Sequence, residues 1–425
     1  MITHIKYLNK EQFMADLTAA LLKPNSIFVP EIMGTGSTAL EKLYSRVPSN
    51  NHLVTVDHII RPDNWLADRN YKVDYTLSFD EIVELCETTK CKIFDPMNFN
   101  YDLPRQDDLQ ELAYESGYSH HPKAKQLELD RLFGKEMAKQ IKLNVPNYQI
   151  YNVGDNVELD GRIVVKVVDD HYITTTSKEG LSVLDPTLTY CLEEFIEGED
   201  LTYSFLVSGS NLAFIGTLTE CNRLFPNGGG AKVGTAWASH DMSVECEPHV
   251  YEAMKKLVDL MAEKRTPLQG WIDVDLRKTA SGELYFIEFM VRNACSNFIT
   301  HCHQLNVGYF DMIDHLAVHG VLPENTWRSP QSCSIELYSV TFDNVGYTPY
   351  TFKNPFNDGK LGCTFDPLSQ YAYYHDDIFV SAGNCGSTQR IGVFSMLGNN
   401  ELEYKEQFES LKDKIIHCAW RGRNL

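Results

Sequence analysis

The stretch GWIDVDLRKTASGELYFIEFMVRN, residues 270 to 293, reads as two β-strands joined by a polar turn, and two carboxylates interrupt its apolar alternation. Residues i and i+2 of a strand share a face. Asp273 and Asp275 therefore point one way on the first strand, and Glu288 points with Met290 and Arg292 on the second. Pairing about the SGE turn at residues 281 to 283 sets Asp275 opposite Glu288. Two buried acids this close repel unless a proton or a cation lies between them. A surface hairpin with solvated acids has the same spacing, so spacing alone leaves both readings open.

The chain of 425 residues is long enough for two or three domains, and 43% hydrophobic with 11% aromatic residues is a globular composition. Its 58 acidic against 38 basic residues, a formal net charge of -20, argue against a nucleic-acid backbone as partner, which needs clustered Lys and Arg. Any phosphate the protein handles must meet a local basic site or a bound cation. The start MITHIKYLNKEQFMADL lacks a basic segment followed by an apolar core, and no stretch has the ~18 consecutive apolar residues of a membrane span. Eleven cysteines without a CxxC pair fit buried thiols in a reducing compartment. The expectation is a soluble, cytoplasmic protein that engages no membrane.

Along the first ~125 residues, strand and helix alternate: SIFVPEI, GTGSTALEKLYSRV, LVTVDHII, SFDEIVELCETTK, CKIFDPMN, DDLQELAYESG. Such interleaving implies right-handed βαβ units on a mostly parallel sheet. The segment KQLELDRLFGKEMAKQIKLN, residues 125 to 144, has helical apolar spacing and stops before VP. Residues 147 to 300 read as antiparallel strands with a helix at EPHVYEAMKKLVDLMAEK, and GYFDMIDHLAVHG is a further helix. The last 100 residues give short strands (SIELYSVTF, DIFVSAG, RIGVFSML) and a final helix at ELEYKEQFESLKDKIIHCAW. The expected class is α/β and α+β, in three parts with boundaries at 1–125, 126–325 and 326–425.

Several further residues carry chemistry. A Mg²⁺ held by one or two carboxylates and otherwise by nucleotide phosphates satisfies an Asp275–Glu288 pair, with Arg292 on the same face for phosphate oxygens. Lys166 sits inside the apolar strand IVVKVV, where an ammonium is costly unless it meets an anion. CLEEFIEGED joins a strand end to an acidic turn, suited to an adenine held by backbone groups and a ribose held by a carboxylate. NRLFPNGGGAKVGT has three consecutive glycines, which let backbone N–H groups approach an anion.

In this order, strand lysine, EEFxxGED, an arginine before a glycine-rich loop, and an acid thirteen residues before a Glu followed by F, x, x and Arg, the chain resembles the ATP-grasp enzymes. Within them it is most similar to phosphoribosylamine-glycine ligase (glycinamide ribonucleotide synthetase), from SIFVPEIMGTGSTALEKL at the start to the last strand and helix. The resemblance implies an N-terminal parallel βαβ domain, an ATP-grasp fold of two lobes and a small β-rich C-terminal domain. It implies that ATP phosphorylates a small carboxylate, glycine or another amino acid, and that an amine then attacks the acyl phosphate. It implies that Lys166 and Arg131 contact the nucleotide phosphates, that Glu193, Glu194 and Ile196 line the adenine, and that Asp200 holds the ribose. It implies that Asp275 and Glu288 hold Mg²⁺ and that Arg292 meets the transferring phosphoryl group. It implies too that Arg223, Gly228, Gly229 and Gly230 face the acid substrate, and that the turn with Gly34, Gly36 and Ser37 cradles the phosphate of the amine.

Three departures stand against the family pattern. Met290 occupies the place of an Asn ligand, and a thioether is a poor partner for Mg²⁺. Arg131 replaces a lysine. The glycine-rich lid is replaced by KVVDDHYITTTSKEGLSV, in which Asp169 and Asp170 would repel phosphate, while the TTTS hydroxyls, Lys178 and Gly180 stand in for the missing glycines. Two accounts fit these residues: a diverged ligase, or a relative that binds nucleotide or a partner without turnover. Elsewhere, HCH at 301 to 303 with Cys295 lacks a zinc-finger spacing and reads as a buried thiol between satisfied histidines. His120 and His121 read as loop residues, and Met254, Met261 and Trp271 as core.

Overall fold

In the computed structural model of the chain, the described residues are 10–30, 40, 43–44, 46–57, 70–72, 77–94, 106–168, 173–225, 229–293, 295–338, 349–353, 363–367, 372–375, 378–382, 390–400, 403 and 406. The N-terminal alternation produces a parallel sheet. Its strands β1 (Ser26–Val29), β2 (His52–Asp57), β3 (Asn70–Lys72) and β4 (Lys92–Ile93) lie in the order β3-β2-β1-β4. Phe13 and Leu17 of the helix Lys10–Leu21, which the sequence reading did not anticipate, pack with Ile82 and Leu85 of the helix Phe79–Thr89 against Phe28, Val54 and Ile93 of the strands. The turn with Gly34, Gly36 and Ser37 lies outside the described residues.

The helix expected over residues 125 to 144 is two. Gln126–Leu129 makes one turn and Arg131–Gln140 a second helix. Asp130 separates them: its extended backbone (φ -92, ψ 96) leaves its carboxylate to accept the Leu132 and Phe133 N–H groups, so it starts a new helix rather than continuing the old one. The second helix ends at Gln140, and Asn144 is extended, bridging to Tyr285.

Four antiparallel strands follow, β5 (Tyr148–Tyr151), β6 (Ile163–Val167), β7 (Ile173–Thr176) and β8 (Tyr190–Glu194), in the order β5-β8-β6-β7. Ile163, Val165, Val167, Tyr190 and Leu192 close one face of this small sheet. The large sheet takes β9 (Glu199–Ser208), β10 (Asn211–Phe225), β11 (Gly229–Asp241), β12 (Gly270–Lys278), β13 (Leu284–Met290) and β14 (Gln331–Tyr338). The remaining strands are β15 (Pro349–Lys353), β16 (Cys363–Pro367), β17 (Ala372–His375), β18 (Ile378–Ala382) and β19 (Arg390–Gly398). The large sheet has the order β13-β12-β9-β10-β11-β14-β19-β16, and β15, β18 and β17 form a separate three-stranded sheet. Hydrogen bonding thus runs across residue 325, where β14 pairs with β11. Of the final helix, residues 403 and 406 are described as helical and the rest lies outside the described residues.

The large sheet has two unlike faces. Ile272, Val274, Leu276, Tyr203, Phe205 and Val207 pack under the helix Pro248–Glu263, whose Met254 and Met261 are core as expected. The intervening residues Trp271, Asp273, Asp275, Thr202 and Ser204 turn to the other face, which continues through His240, Ser332, Ser334 and Ser395 beneath the helix Cys295–Gln304. Burying so many polar groups on a sheet face is costly unless each meets a partner or a ligand.

Gly134 holds the two linking helices together, because a Cβ there would lie 2.6 Å from the Leu127 carbonyl oxygen. In an ordinary helix Gly→Ala is stabilising by about 1 kcal/mol; here the clash with main chain outweighs it. Gly134→Ala is expected to lower stability by roughly 1–3 kcal/mol in urea unfolding, and an increase would contradict this packing.

Candidate functional site

The site grows from the β12–β13 hairpin. Next to the turn the register is Lys278↔Leu284, Arg277↔Tyr285 and Leu276↔Phe286. Thr279 N–H donates to Glu283 O at 2.9 Å and Gly282 N–H to Thr279 O at 2.9 Å, with Gly282 at φ +88, where glycine is favoured. Continued unchanged, that register would set Asp275 against Ile287 and send Glu288 to the core face with Phe286. A bulge intervenes after Leu276, and beyond it the pairs are Asp275↔Glu288, Val274↔Phe289 and Asp273↔Met290. Ile287 is the extra residue that lets Phe286 stay in the core while Glu288 turns toward Asp275.

Neither carboxylate is solvated on both sides. Asp275 Oδ1 accepts the Thr202 hydroxyl at 2.5 Å, and Glu288 Oε2 lies 3.5 Å from Arg131 Nη1. Burial, then the charges of Glu288 and Glu220, hold the Asp275 carboxyl well above the usual carboxylate range. Asp273 accepts Trp271 Nε1–H at 2.7 Å, and burial pushes its carboxyl up to about 7 despite hydrogen bonds from Ser204 and Trp271. Glu220, on β10, accepts Asn297 Nδ2–H at 2.6 Å. Arg292 donates from Nε to Glu128 Oε1 at 2.8 Å, and Val291 N–H donates to Glu128 Oε2 at 3.1 Å. Burial works against the Arg292 charge, but Glu128, together with Glu288 and Asp273, more than offsets it and the guanidinium is held charged.

Opposite the acids lies a positive group. Lys166 of β6 and Glu193 of β8 share the face of the small sheet away from its apolar core, and Lys166 Nζ is 3.0 Å from Glu193 Oε1. Lys135, one turn beyond Arg131 on the same helix face, brings its ammonium to 2.9 Å from Glu193 Oε2 without the alignment of a hydrogen bond. All three side chains are at most 5% exposed. Burial pulls Lys135 below its usual range against the pull of Glu193. For Glu193, burial opposes ionisation, yet Lys166 and Lys135 together hold its carboxyl below the usual range. Two ammonium groups therefore share one carboxylate.

The strand-end residues are placed as follows. Glu194 Oε2 accepts Asn147 Nδ2–H at 2.8 Å. Residues 195–198 link β8 to β9, and within them the Ile196 carbonyl accepts Arg277 Nη1–H at 3.1 Å. Asp200 Oδ1 takes both Arg277 Nε–H and Nη2–H, at 2.8 and 2.5 Å.

One narrow cleft, about 230 Å³ of empty space, is lined by Leu127, Glu128, Arg131, Gly134, Lys135, Lys166, Phe286, Ile287 and Glu288, so Lys166, Arg131 and Glu288, far apart in sequence, open on the same space. Arg292 adjoins it through Glu128, and Asp275 through Glu288. Of the glycine-rich stretch, Gly229 and Gly230 begin β11, with Gly229 paired to Phe225; Arg223 pairs with Lys232, and Gly228 lies outside the described residues. Asp169 and Asp170 also lie outside them, and Lys178 pairs with Asp160 at 2.9 Å. Lys135, Glu128, Thr202, Glu220 and Arg277 were not singled out from the sequence. For Lys135 a signal existed, the i, i+4 spacing from Arg131.

The acid pair suits a hard cation, since it offers carboxylate oxygens from adjacent strands and Asp275 resists ionising without one. Met290, buried and opposite Asp273, adds only a thioether. Among the described residues, no group of three or more His, Cys, Asp or Glu is arranged to hold a metal ion, so further ligands would have to come from water or substrate.

His120, His240 and His301 are buried. His120 is a loop residue, as expected, and is buried there: its Nδ1 accepts Gln269 N–H at 3.0 Å, which leaves Nε2–H to donate to Trp271 O at 2.5 Å. His301 lies tilted against Trp271 and edge-on to His240, with ring centroids 4.6 and 4.7 Å apart. Burial lowers His120 to about 4 and His301 to about 3.

No protein-family model and no curated protein matches the sequence. Solved structures do. Phosphoribosylamine–glycine ligase from Thermotoga maritima superposes with a TM-score of 0.67 at 11% identity, over 92% of this chain and 96% of that one. L-amino acid ligase from Bacillus licheniformis gives 0.60 at 12%, over 92% and 97%. N5-carboxyaminoimidazole synthetase from Staphylococcus aureus, complexed with ADP, gives 0.58 at 15%, over 92% and 98%. At these identities the likeness shows the fold, that of the ATP-grasp ligases. Among the described residues, no helix is long and apolar enough to cross a membrane.

Because His301 stays neutral when folded, the unfolded chain binds the extra proton below its ordinary value near 6.5, and stability falls as pH drops from there toward 3. Each such group adds a slope of about 1.4 kcal/mol per pH unit. His301→Phe, which keeps the ring contacts, is expected to flatten the stability profile between pH 4 and 6 by about that slope in urea titrations. Parallel profiles for the two proteins would contradict a neutral buried His301.

Proposed function

We propose that this chain, with the fold of the ATP-grasp ligases, binds Mg²⁺ and ATP in the cleft and joins a small carboxylate to an amine. One observation carries the reading: two buried ammonium groups share the single carboxylate of Glu193 beside an opposed pair of acids. A buried surplus of positive charge is unfavourable unless an anion arrives, and an opposed acid pair is unfavourable unless a cation does. A metal-bound triphosphate supplies both.

On this reading Lys166, Lys135 and Arg131 bind the phosphates. Glu193, Glu194 and Ile196 line the adenine, and Asp200 accepts from the ribose hydroxyls. Asp275 and Glu288 would hold the Mg²⁺, which when bound neutralises charge on the phosphates. Arg292, charged and aimed by Glu128, meets the phosphoryl group as it passes to the carboxylate. The amine attacks the resulting acyl phosphate, and amide, ADP and phosphate leave. Such chemistry asks for alignment and charge neutralisation rather than a protein nucleophile. Arg223 and Gly228, Gly229 and Gly230 are assigned to the acid, with Gly34, Gly36 and Ser37 on a phosphate of the amine. Glycine with a phosphoribosylamine-like amine is the pair favoured by the resemblance, and residues 1–125, 126–325 and 326–425 are assigned as its three domains. Met290, buried where a hard oxygen would serve, favours a second reading, nucleotide binding without turnover.

Amine-dependent ADP release separates these readings. With ATP, Mg²⁺, glycine or other amino acids and a panel of amines, the ligase reading expects ADP only when acid and amine are both present; ATP binding without such release supports the second reading. Met290→Asn adds a hard oxygen beside the acids and is expected to tighten Mg²⁺-dependent ATP binding by roughly 3- to 10-fold, the worth of about one hydrogen-bond-sized contact. Unchanged affinity in calorimetry would count against the assigned metal position.

A further inference from the structure

Arg277 is the cross-strand partner of Asp200, and its guanidinium does more than neutralise it. Two of its N–H groups fall on one oxygen, Asp200 Oδ1, at 2.8 and 2.5 Å, and a third reaches the Ile196 carbonyl at 3.1 Å. Residues 195–198, which join the small sheet to the large one, are pressed onto the end of β12. A Cβ at Gly198 would lie 2.2 Å from Lys278 O and 3.0 Å from Arg277 Cγ. Phe195 is held by two guanidinium groups, with that of Arg162 3.8 Å and that of Arg277 5.6 Å from its ring centroid. An exposed cross-strand ion pair contributes little. Arg277, however, has a side chain only 20% exposed, and a planar fork divided between a carboxylate and a main-chain carbonyl is an arrangement that lysine cannot reproduce.

We propose that Arg277 is a positioning residue for the ribose end of the nucleotide. It fixes the segment between the sheets and turns the Asp200 carboxylate so that Oδ2, which takes neither of the Arg277 bonds, accepts from the vicinal diol. The inference rests on the nucleotide reading of the cleft and adds to it a residue and a ligand group. Because both donors fall on Oδ1, Asp200 is oriented before nucleotide arrives, so the fork acts on ribose recognition rather than on the phosphates.

The test compares ATP with 2′,3′-dideoxy-ATP, both with Mg²⁺, on the full chain by calorimetry. The wild type is expected to prefer ATP by about tenfold, the scale of a hydrogen bond to a charged group. In Arg277→Met the preference falls to about one, with dideoxy-ATP binding close to that of wild type; Arg277→Lys behaves like the Met variant because it lacks the fork. Asp200→Asn, which retains the Arg277 contact to Ile196, loses the preference as well and serves if the Arg277 variants do not fold. A preference that survives in Arg277→Met or Asp200→Asn overturns the proposal, as does an equal loss of both nucleotides, the mark of a purely structural brace. A wild type that binds neither nucleotide overturns the nucleotide reading itself and this inference with it.

Discussion

Lys135 and Lys166 close on Glu193 from two different elements, a helix of the linking segment and a strand of the small sheet. That three-residue charge group is the constraint on which the rest depends. Removing two ammonium ions from water costs several kcal/mol each, and a single carboxylate repays part of it. A well-packed apolar trio would hold helix and sheet together at lower cost. The charges make physical sense as half of an interaction whose other half is an anion. Across the cleft the acids pose the converse problem, which on the proposed reading a cation answers.

The architecture serves to hold these two groups face to face. The large sheet sorts its residues by parity, so that Ile272, Val274 and Leu276 bury against one helix while Asp273 and Asp275 turn to the opposite face. A single bulge at Ile287 brings Glu288 onto the same side. Asp130 breaks the linking helix so that Arg131 and Lys135 start a fresh one pointing at the acids and at Glu193, and Gly134 allows the two pieces to touch. Glu128, on the first piece, steadies Arg292. Each device is local, yet they converge on one cleft.

Much of this was legible in the sequence. Alternation in β12 and β13 exposed the facing acids, and the cost of an ammonium inside IVVKVV marked Lys166. What escaped notice was of three kinds. The bulge was invisible because counting outward from the turn and counting period-two faces give registers that differ by one, and only packing of Phe286 decides between them. Asp130 reads as an ordinary polar residue on a helix face unless its capping bonds are seen. Arg277 and Glu128 look like solvated charges in sequence, since nothing local says that each lies beside a partner dozens of residues away.

The most direct measurement is a crystal structure grown with Mg²⁺ and a non-hydrolysable ATP analogue. The account expects one cation between Asp275 and Glu288, with the terminal phosphates within ion-pair distance of Lys135 and Lys166. A nucleotide bound elsewhere, or an acid pair closed on itself by a shared proton with no cation, would contradict it.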